Sequence, residues 1–201
     1  MDRHLNWNHH AEFLLTKLSS AAGAIYKIRK YLSVKTLKLI YHSLAGSYLQ
    51  YGIAAWSNCS STMLNKLQSM QNKIIRYMTY SQPDANVDHH YKSLKILSID
   101  ELKFYETAKF MHSVYNNTMP LAFQDYFQEI DHSYETRTRT NVGFYLPFPR
   151  TERSKKSLRY SGVHVWADVP HSYRNYPVKL FKTCLKNHIL SRPVSIRQLI
   201  Q

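Results

Sequence analysis

Residues 60–79 read SSTMLNKLQSMQNKIIRYMT. Leu64, Leu67, Met70, Ile74, Ile75 and Met78 recur at intervals of three and four, so they form one stripe on a helix. Ser60 or Ser61 supplies a side-chain acceptor just ahead of the stripe and is the expected N-cap. A helix over 62–79 is predicted. Lys66 and Lys73 share one of its faces, and Arg76 lies at the margin of that face.

Working outward, two more stripes precede it. Leu14, Leu18, Ala21, Ile25, Ile28 and Leu32 predict a helix over 9–32. Gly23 interrupts it at a cost of about 1 kcal/mol relative to alanine, or permits close packing. Leu37, Ile40, Tyr41, Leu44, Tyr48 and Tyr51 predict a helix over 34–51, capped by Ser33 and stopped by Gly52. Short connections join the three, so a three-helix bundle over 1–80 is expected. The polar segment 81–92 reads as a loop. Within 81–131, a helical connector, Leu102, Tyr105, Phe110 and Val114 mark a helix over 99–117, and Pro120 opens a shorter one over 120–130. Residues 132–165 read as extended and loop-rich, with an edge strand near 134–140. Leu180, Phe181, Cys184, Leu185 and Ile189 predict a last helix over 177–190, with Lys179, Lys182 and Lys186 on its other face. The fold class is mainly α, with a basic, weakly β C-terminal segment over 132–201.

Several motifs carry more than periodicity. Tyr48, Tyr51, Gly52 and Trp56 spell YxxYGxxxW, and Leu64, Leu67, Gln68, Gln71, Asn72, Lys73 and Arg76 spell LxxLQxxQNKxxR. In this order they resemble the region after the palm in reverse transcriptases of non-LTR retrotransposons, jockey-like and RTE-like elements among them. Asp2, Leu5, Trp7 and His10 resemble the family's DxxLxWxxH. The run His132 to Arg137 resembles HxYxTR, and Lys156 to Tyr160 with Gly162 resembles KSIRxxG. Trp166 to Pro170 resembles WNxLP. The likeness covers residues 2–190. Gly46 stands where the family commonly has proline, and Ala167-Asp168 replaces an asparagine-containing pair. Trp7, Tyr51, Gly52, Trp56, Trp166 and Pro170 are the structural positions it picks out. The resemblance implies a thumb-like bundle that grips template–primer duplex, RNA and DNA, against a palm. The YADD carboxylates of that palm are expected upstream of this chain.

Charge points toward the same partner class. The 201 residues carry 27 basic and 13 acidic side chains, a formal +14. Residues 1–80 hold 10 basic and 2 acidic groups, residues 81–131 hold 4 and 8, and residues 132–201 hold 13 and 3. Two basic ends flank an acidic middle, and polyanions are the natural partners of such ends. Lys27, Arg29, Lys30, Lys35 and Lys38 cluster across the first interhelix turn, while Lys66, Lys73 and Arg76 lie on the third helix. Arg137, Arg139, Arg150, Arg153, Lys155, Lys156 and Arg159 form a second cluster. Tyr134, Phe144, Tyr145, Phe148 and Tyr160 interleave with it, as a single strand requires, where bases stack and phosphates pair. The same aromatic groups equally serve to dock an irregular segment onto helices.

Other chemistry finds little to stand on. Asp100-Glu101 is the one adjacent carboxylate pair and reads as negative charge at a helix N-terminus. The pairs His9-His10 and His89-His90 lack metal-ligand spacing, and no nucleophile elbow or phosphate-binding glycine loop occurs. No cofactor and no metal are expected, and the chain alone is not expected to be an enzyme. Two cysteines, Cys59 and Cys184, fit a reducing compartment, cytoplasm or nucleus. The N-terminus is polar and unlike a secretion signal, and no apolar run reaches the ~20 residues of a membrane span. Two other readings stay open: a protein-interaction or structural domain whose basic surface aids solubility, and a domesticated DNA-binding protein.

Overall fold

The computed structural model describes residues 6–120, 123, 126, 127 and 144–192, apart from the Arg153 side chain. It is mainly helical, with no strand among the described residues. The chain forms two compact units, residues 1–103 with 190–201, and residues 104–189.

In the first unit, α1 (Asn8–Ile28) ends in a 3₁₀ turn at Arg29–Tyr31. Then come α2 (Val34–Tyr41), a π-helical turn (His42–Gly46), α3 (Ser47–Gln50), α4 (Ile53–Trp56), α5 (Ser61–Thr79), α6 (Asp88–Leu94) and the start of α7 (Ile99–Tyr115). The predicted stripes of α1 and α5 face each other: Leu14, Leu18, Ala21 and Ile25 of α1 are buried, as are Leu67, Ile74, Ile75 and Met78 of α5. Ala11, Ala22, Met63 and Gln71 join them. Ser33 caps α2, its hydroxyl accepting from the Thr36 N–H at 3.2 Å. Ser60 caps α5, accepting from the Met63 N–H at 3.4 Å.

The π turn corrects the face of the second helix. A regular helix would carry the inward positions from Leu37 and Tyr41 on to Leu44 and Tyr48. The wide turn inserts one residue. Ala45 and Leu49 therefore point inward and are fully buried, while Leu44 and Tyr48 remain 41% and 38% exposed. Tyr51 is also corrected. Its ring is 80% exposed, and its structural contribution is its carbonyl, which accepts from the buried Trp56 Nε1 at 2.9 Å. Gly52 between them adopts φ 63°, a left-handed conformation that glycine takes without steric cost.

Residues 88–94 are helical where a loop was expected. Asn86 Oδ1 accepts from the Asp88 N–H at 2.8 Å and turns the chain into α6. Burial of Val87 and Tyr91 then outweighs the polar composition. Tyr91 docks on α5, donating to Asn72 Oδ1 at 2.8 Å and accepting from Gln68 Nε2 at 2.9 Å. Gln68 Oε1 accepts from the Ile99 N–H at 2.9 Å. Gln71, fully buried, donates to Tyr41 Oη and to the Leu97 carbonyl, both at 2.9 Å. α7 opens with a capping box: Glu101 Oε2 accepts from the Ser98 N–H at 2.9 Å while Ser98 Oγ lies 3.5 Å from the Glu101 N–H. The Asp100-Glu101 pair thus belongs to a helix start.

The second unit holds the rest of α7 with α8 (Glu152–Lys155), α9 (Leu158–Ala167), α10 (His171–Arg174) and most of α11 (Val178–Ser191). Helices α8 and α9 stand where extended chain was expected. Residues 134–140, the expected edge strand, lie outside the described residues, as does most of 120–130. Burial of Val163 and Trp166 makes α9 part of the core despite its weak pattern. Gly162 sits where an added Cβ would come 2.9 Å from Met111 Sδ. His112 stacks on Phe181 with ring centroids 4.0 Å apart, and its Nε2 lies 3.0 Å from the Tyr176 carbonyl. Arg174, 5% exposed, donates from Nη2 to the Trp166 carbonyl at 2.9 Å, closing the end of α9. Pro170 precedes α10 and its carbonyl accepts from the Tyr173 N–H at 3.0 Å. In α11, Phe181, Leu185 and Ile189 are buried, but Leu180 is exposed.

Candidate nucleic-acid interface

The packing of α1 on α5 leaves a groove beside α5 on the first unit. Lys66 and Lys73 stand two turns apart and fully outside the core, because the stripe opposite them is occupied by Leu67, Ile74 and Ile75. One stretch of the groove, about 540 Å³, lies over Lys66, Ser69 and Lys73. A second, about 650 Å³, shares Ser69 and Lys73 and continues to Arg29, Arg76 and three tyrosines. The structure therefore brings Arg29, Lys66, Lys73 and Arg76 onto one surface. No carboxylate lines either stretch.

The tyrosines order the cations. The Arg29 guanidinium lies 4.5 Å from the ring centre of Tyr26, 5.2 Å from Tyr80 and 5.5 Å from Tyr77. Lys73 Nζ lies 5.9 Å from Tyr77, whose ring is 4.9 Å from that of Tyr26. Tyr80 terminates α5 at φ 56°, and its hydroxyl donates to the Arg29 carbonyl, tying the end of α5 to the end of α1. Arg76 is half-buried, and its Nε donates to the Ala85 carbonyl at 3.0 Å. Its role is thus partly structural. The Lys109–Glu106 and Lys155–Glu152 ion pairs and the His9–Glu12 contact involve none of the groove cations.

The remaining predicted residues are placed differently. Lys27, Lys30 and Lys35 are exposed and Lys38 is half-buried, around the α1–α2 turn and outside the groove lining. In the second unit Arg150, Lys155 and Lys156 are exposed. Lys155 is on α8, not extended chain, and Glu152 engages it at 2.5 Å. That contact holds the Glu152 carboxyl below its ordinary range and raises the Lys155 ammonium. Arg159 is on α9, 6.0 Å from the ring centre of Tyr126. Phe144 is buried, and its ring meets that of Phe127, so it docks the chain. Phe148 is 82% exposed. Arg137, Arg139 and the Arg153 side chain lie outside what is described.

Sequence reading missed the tyrosines and the polar latch. Tyr26 is three residues before Arg29 and Tyr77 four after Lys73, spacings that put ring and cation side by side on a helix. Gln71 sits on the buried stripe between Leu67 and Ile75, a register in which a polar side chain needs internal partners. No group of three or more histidine, cysteine, aspartate or glutamate side chains converges among the described residues. No described helix is long and apolar enough to cross a membrane. No family model, curated protein or solved structure matches the chain.

Proposed function

We propose that this chain is the nucleic-acid-gripping part of a retrotransposon-type RNA-directed DNA polymerase: non-catalytic alone, and built to hold template–primer duplex. One observation carries the reading. Arg29, Lys66, Lys73 and Arg76 converge on a groove without a carboxylate, within residues 1–80, which hold 10 basic and only 2 acidic side chains. A surface that only aids solubility mixes signs. A row of cations along a helix neutralises phosphates, and such contacts position a duplex without reading its sequence. The YxxYGxxxW and LxxLQxxQNKxxR runs support this reading; their Tyr51, Gly52 and Trp56 form the turn before α5, and their Gln68, Gln71 and Asn72 form the polar latch. Polymerisation requires carboxylates converging on paired metals, so primer extension by the purified chain with Mg²⁺ or Mn²⁺ would remove the non-catalytic part of the proposal.

The decisive experiment measures RNA·DNA duplex affinity across a salt series. Lys66→Ala and Lys73→Ala are combined, because both side chains are exposed and their loss shifts stability by no more than about 0.5 kcal/mol. Arg76 is left intact for its bond to Ala85. If each lysine neutralises one phosphate, the log–log salt slope falls by roughly 0.9 per lysine on any sequence. An unchanged slope and affinity would remove α5 from the interface. Absence of salt-dependent binding in the parent chain would favour the protein-interaction reading, for which the exposed Phe13, Tyr48 and Tyr51 are the supporting observation.

A further inference from the structure

We infer, resting on the reading of this chain as a nucleic-acid binder, that the tyrosine-lined end of the groove holds an unpaired nucleotide of a single strand. The duplex-gripping part of the groove would then be the stretch over Lys66. Phosphate neutralisation needs cations only, and Lys66, Lys73 and Arg76 supply them. The end beyond Lys73 adds three aromatic rings to three cations. Tyr26 and Tyr80 are 52% and 55% exposed, and Arg29 lies over one side of each ring, so a base would stack on the side away from the guanidinium. Its volume, about 650 Å³, falls within the roughly 300–1,000 Å³ of small-ligand sites.

The chemistry of this end selects for a free base. An exposed phenol ring stacks on any nucleobase, and the adjoining phosphate pairs with a cation. Bases inside a duplex are already stacked on their neighbours and present no face. The rings are also held before any ligand arrives. The Tyr80 hydroxyl is anchored on the Arg29 carbonyl, and Tyr26 and Tyr77 brace each other. Such preorganisation lowers the entropy lost on binding. A cation–aromatic combination thus stands where the 3₁₀ turn after α1 meets the end of α5.

The test compares a fluorescent oligothymidylate with a blunt-ended RNA·DNA duplex, both bound by the full chain at one salt concentration. Tyr26→Leu removes the ring face from an exposed helical site, Tyr26→Phe keeps it, and circular dichroism verifies that each variant is folded. Loss of one stacked base predicts oligothymidylate binding weaker by about 5- to 150-fold for Tyr26→Leu. Tyr26→Phe should match the parent, and duplex affinity should stay within about twofold for both, because phosphate contacts are intact. Oligothymidylate binding unchanged in folded Tyr26→Leu would overturn the inference. So would an equal loss on both ligands, or a Tyr26→Phe variant as weak as Tyr26→Leu. A parent chain that binds duplex but not oligothymidylate loses this inference alone. A parent that binds neither loses the proposed function as well.

Discussion

At the scale of single residues, two glycines in helices have opposite meanings that sequence does not separate. Gly23 is exposed on α1, has ordinary helical backbone, and an added Cβ would meet nothing within 4 Å. The alternative that it permits close packing is therefore removed, and only the entropic cost is left. Gly23→Ala should raise the unfolding free energy by about 0.4–1 kcal/mol in urea titration, by restricting the unfolded chain. Gly162 is buried against Met111, which is itself 0% exposed. Gly162→Ala should cost about 1–3 kcal/mol in the same assay, as overpacking does. Both glycines interrupt apolar patterns in the sequence. What differs is the neighbour from another helix, which no local spacing encodes. Trp56 and Trp166, expected as structural anchors, are both fully buried.

At the scale of elements, α1 and α5 were legible because each stripe has the helical period and a cap or turn at its ends. The second helix was legible in extent but not in face. Its π turn depends on how Tyr41 and Ala45 seat in the core, and it re-registers everything after it. The α5 latch shows the same dependence. Gln71 supplies the donor for the buried Tyr41 hydroxyl and the Leu97 carbonyl. Gln71→Leu should cost about 1–3 kcal/mol for each buried group left unpaired. Adding Tyr41→Phe should recover part of that loss, a coupling of about 0.5–3 kcal/mol readable in a double-mutant cycle. Burial also pushes the Tyr41 phenol from 10.0 up to about 12, with the Gln71 donor opposing the rise. Above pH 10 the unfolded chain therefore releases a proton that the folded chain keeps. Stability contributed at neutral pH should decline from pH 10 up through about 12. Tyr41→Phe should flatten that alkaline limb; a limb of unchanged steepness would mean that this phenol is not a source of it. Burial raises the Tyr91 phenol too, so the slope should be reduced, not abolished.

At the scale of the whole molecule, the totals identified a basic chain and the stripes a mainly helical one, but neither gave its division into units. In the first unit the regular stripes of α1 and α5 were legible, while the π turn and α6 were not. The second brings together core residues from separate stretches of chain, Met111, Phe144, Trp166 and Phe181, so only the tertiary structure reveals them. Its acid sensitivity follows from one of these contacts. The Tyr176 carbonyl can only accept, so His112 Nε2 carries the hydrogen, and a second proton must enter beside Phe181 and Trp166. Burial accordingly holds the His112 imidazole below its ordinary 6.5, with the Tyr176 hydrogen bond opposing. As pH falls below 6.5 the unfolded chain gains a proton that the folded unit resists. Stability is complete above that pH and is lost on descent, at no more than about 1.4 kcal/mol per pH unit for one proton. His90 is lowered in the same direction in the first unit, by burial and then by His89. Amide exchange of α9 and of Phe181 and Leu185 in α11 isolates the second unit's share. His112→Gln keeps an N–H for the Tyr176 carbonyl but cannot titrate. In that variant the protection of these amides should hold steady below pH 6.5, where the parent's declines. Equal declines in both would place the acid sensitivity elsewhere than in this imidazole.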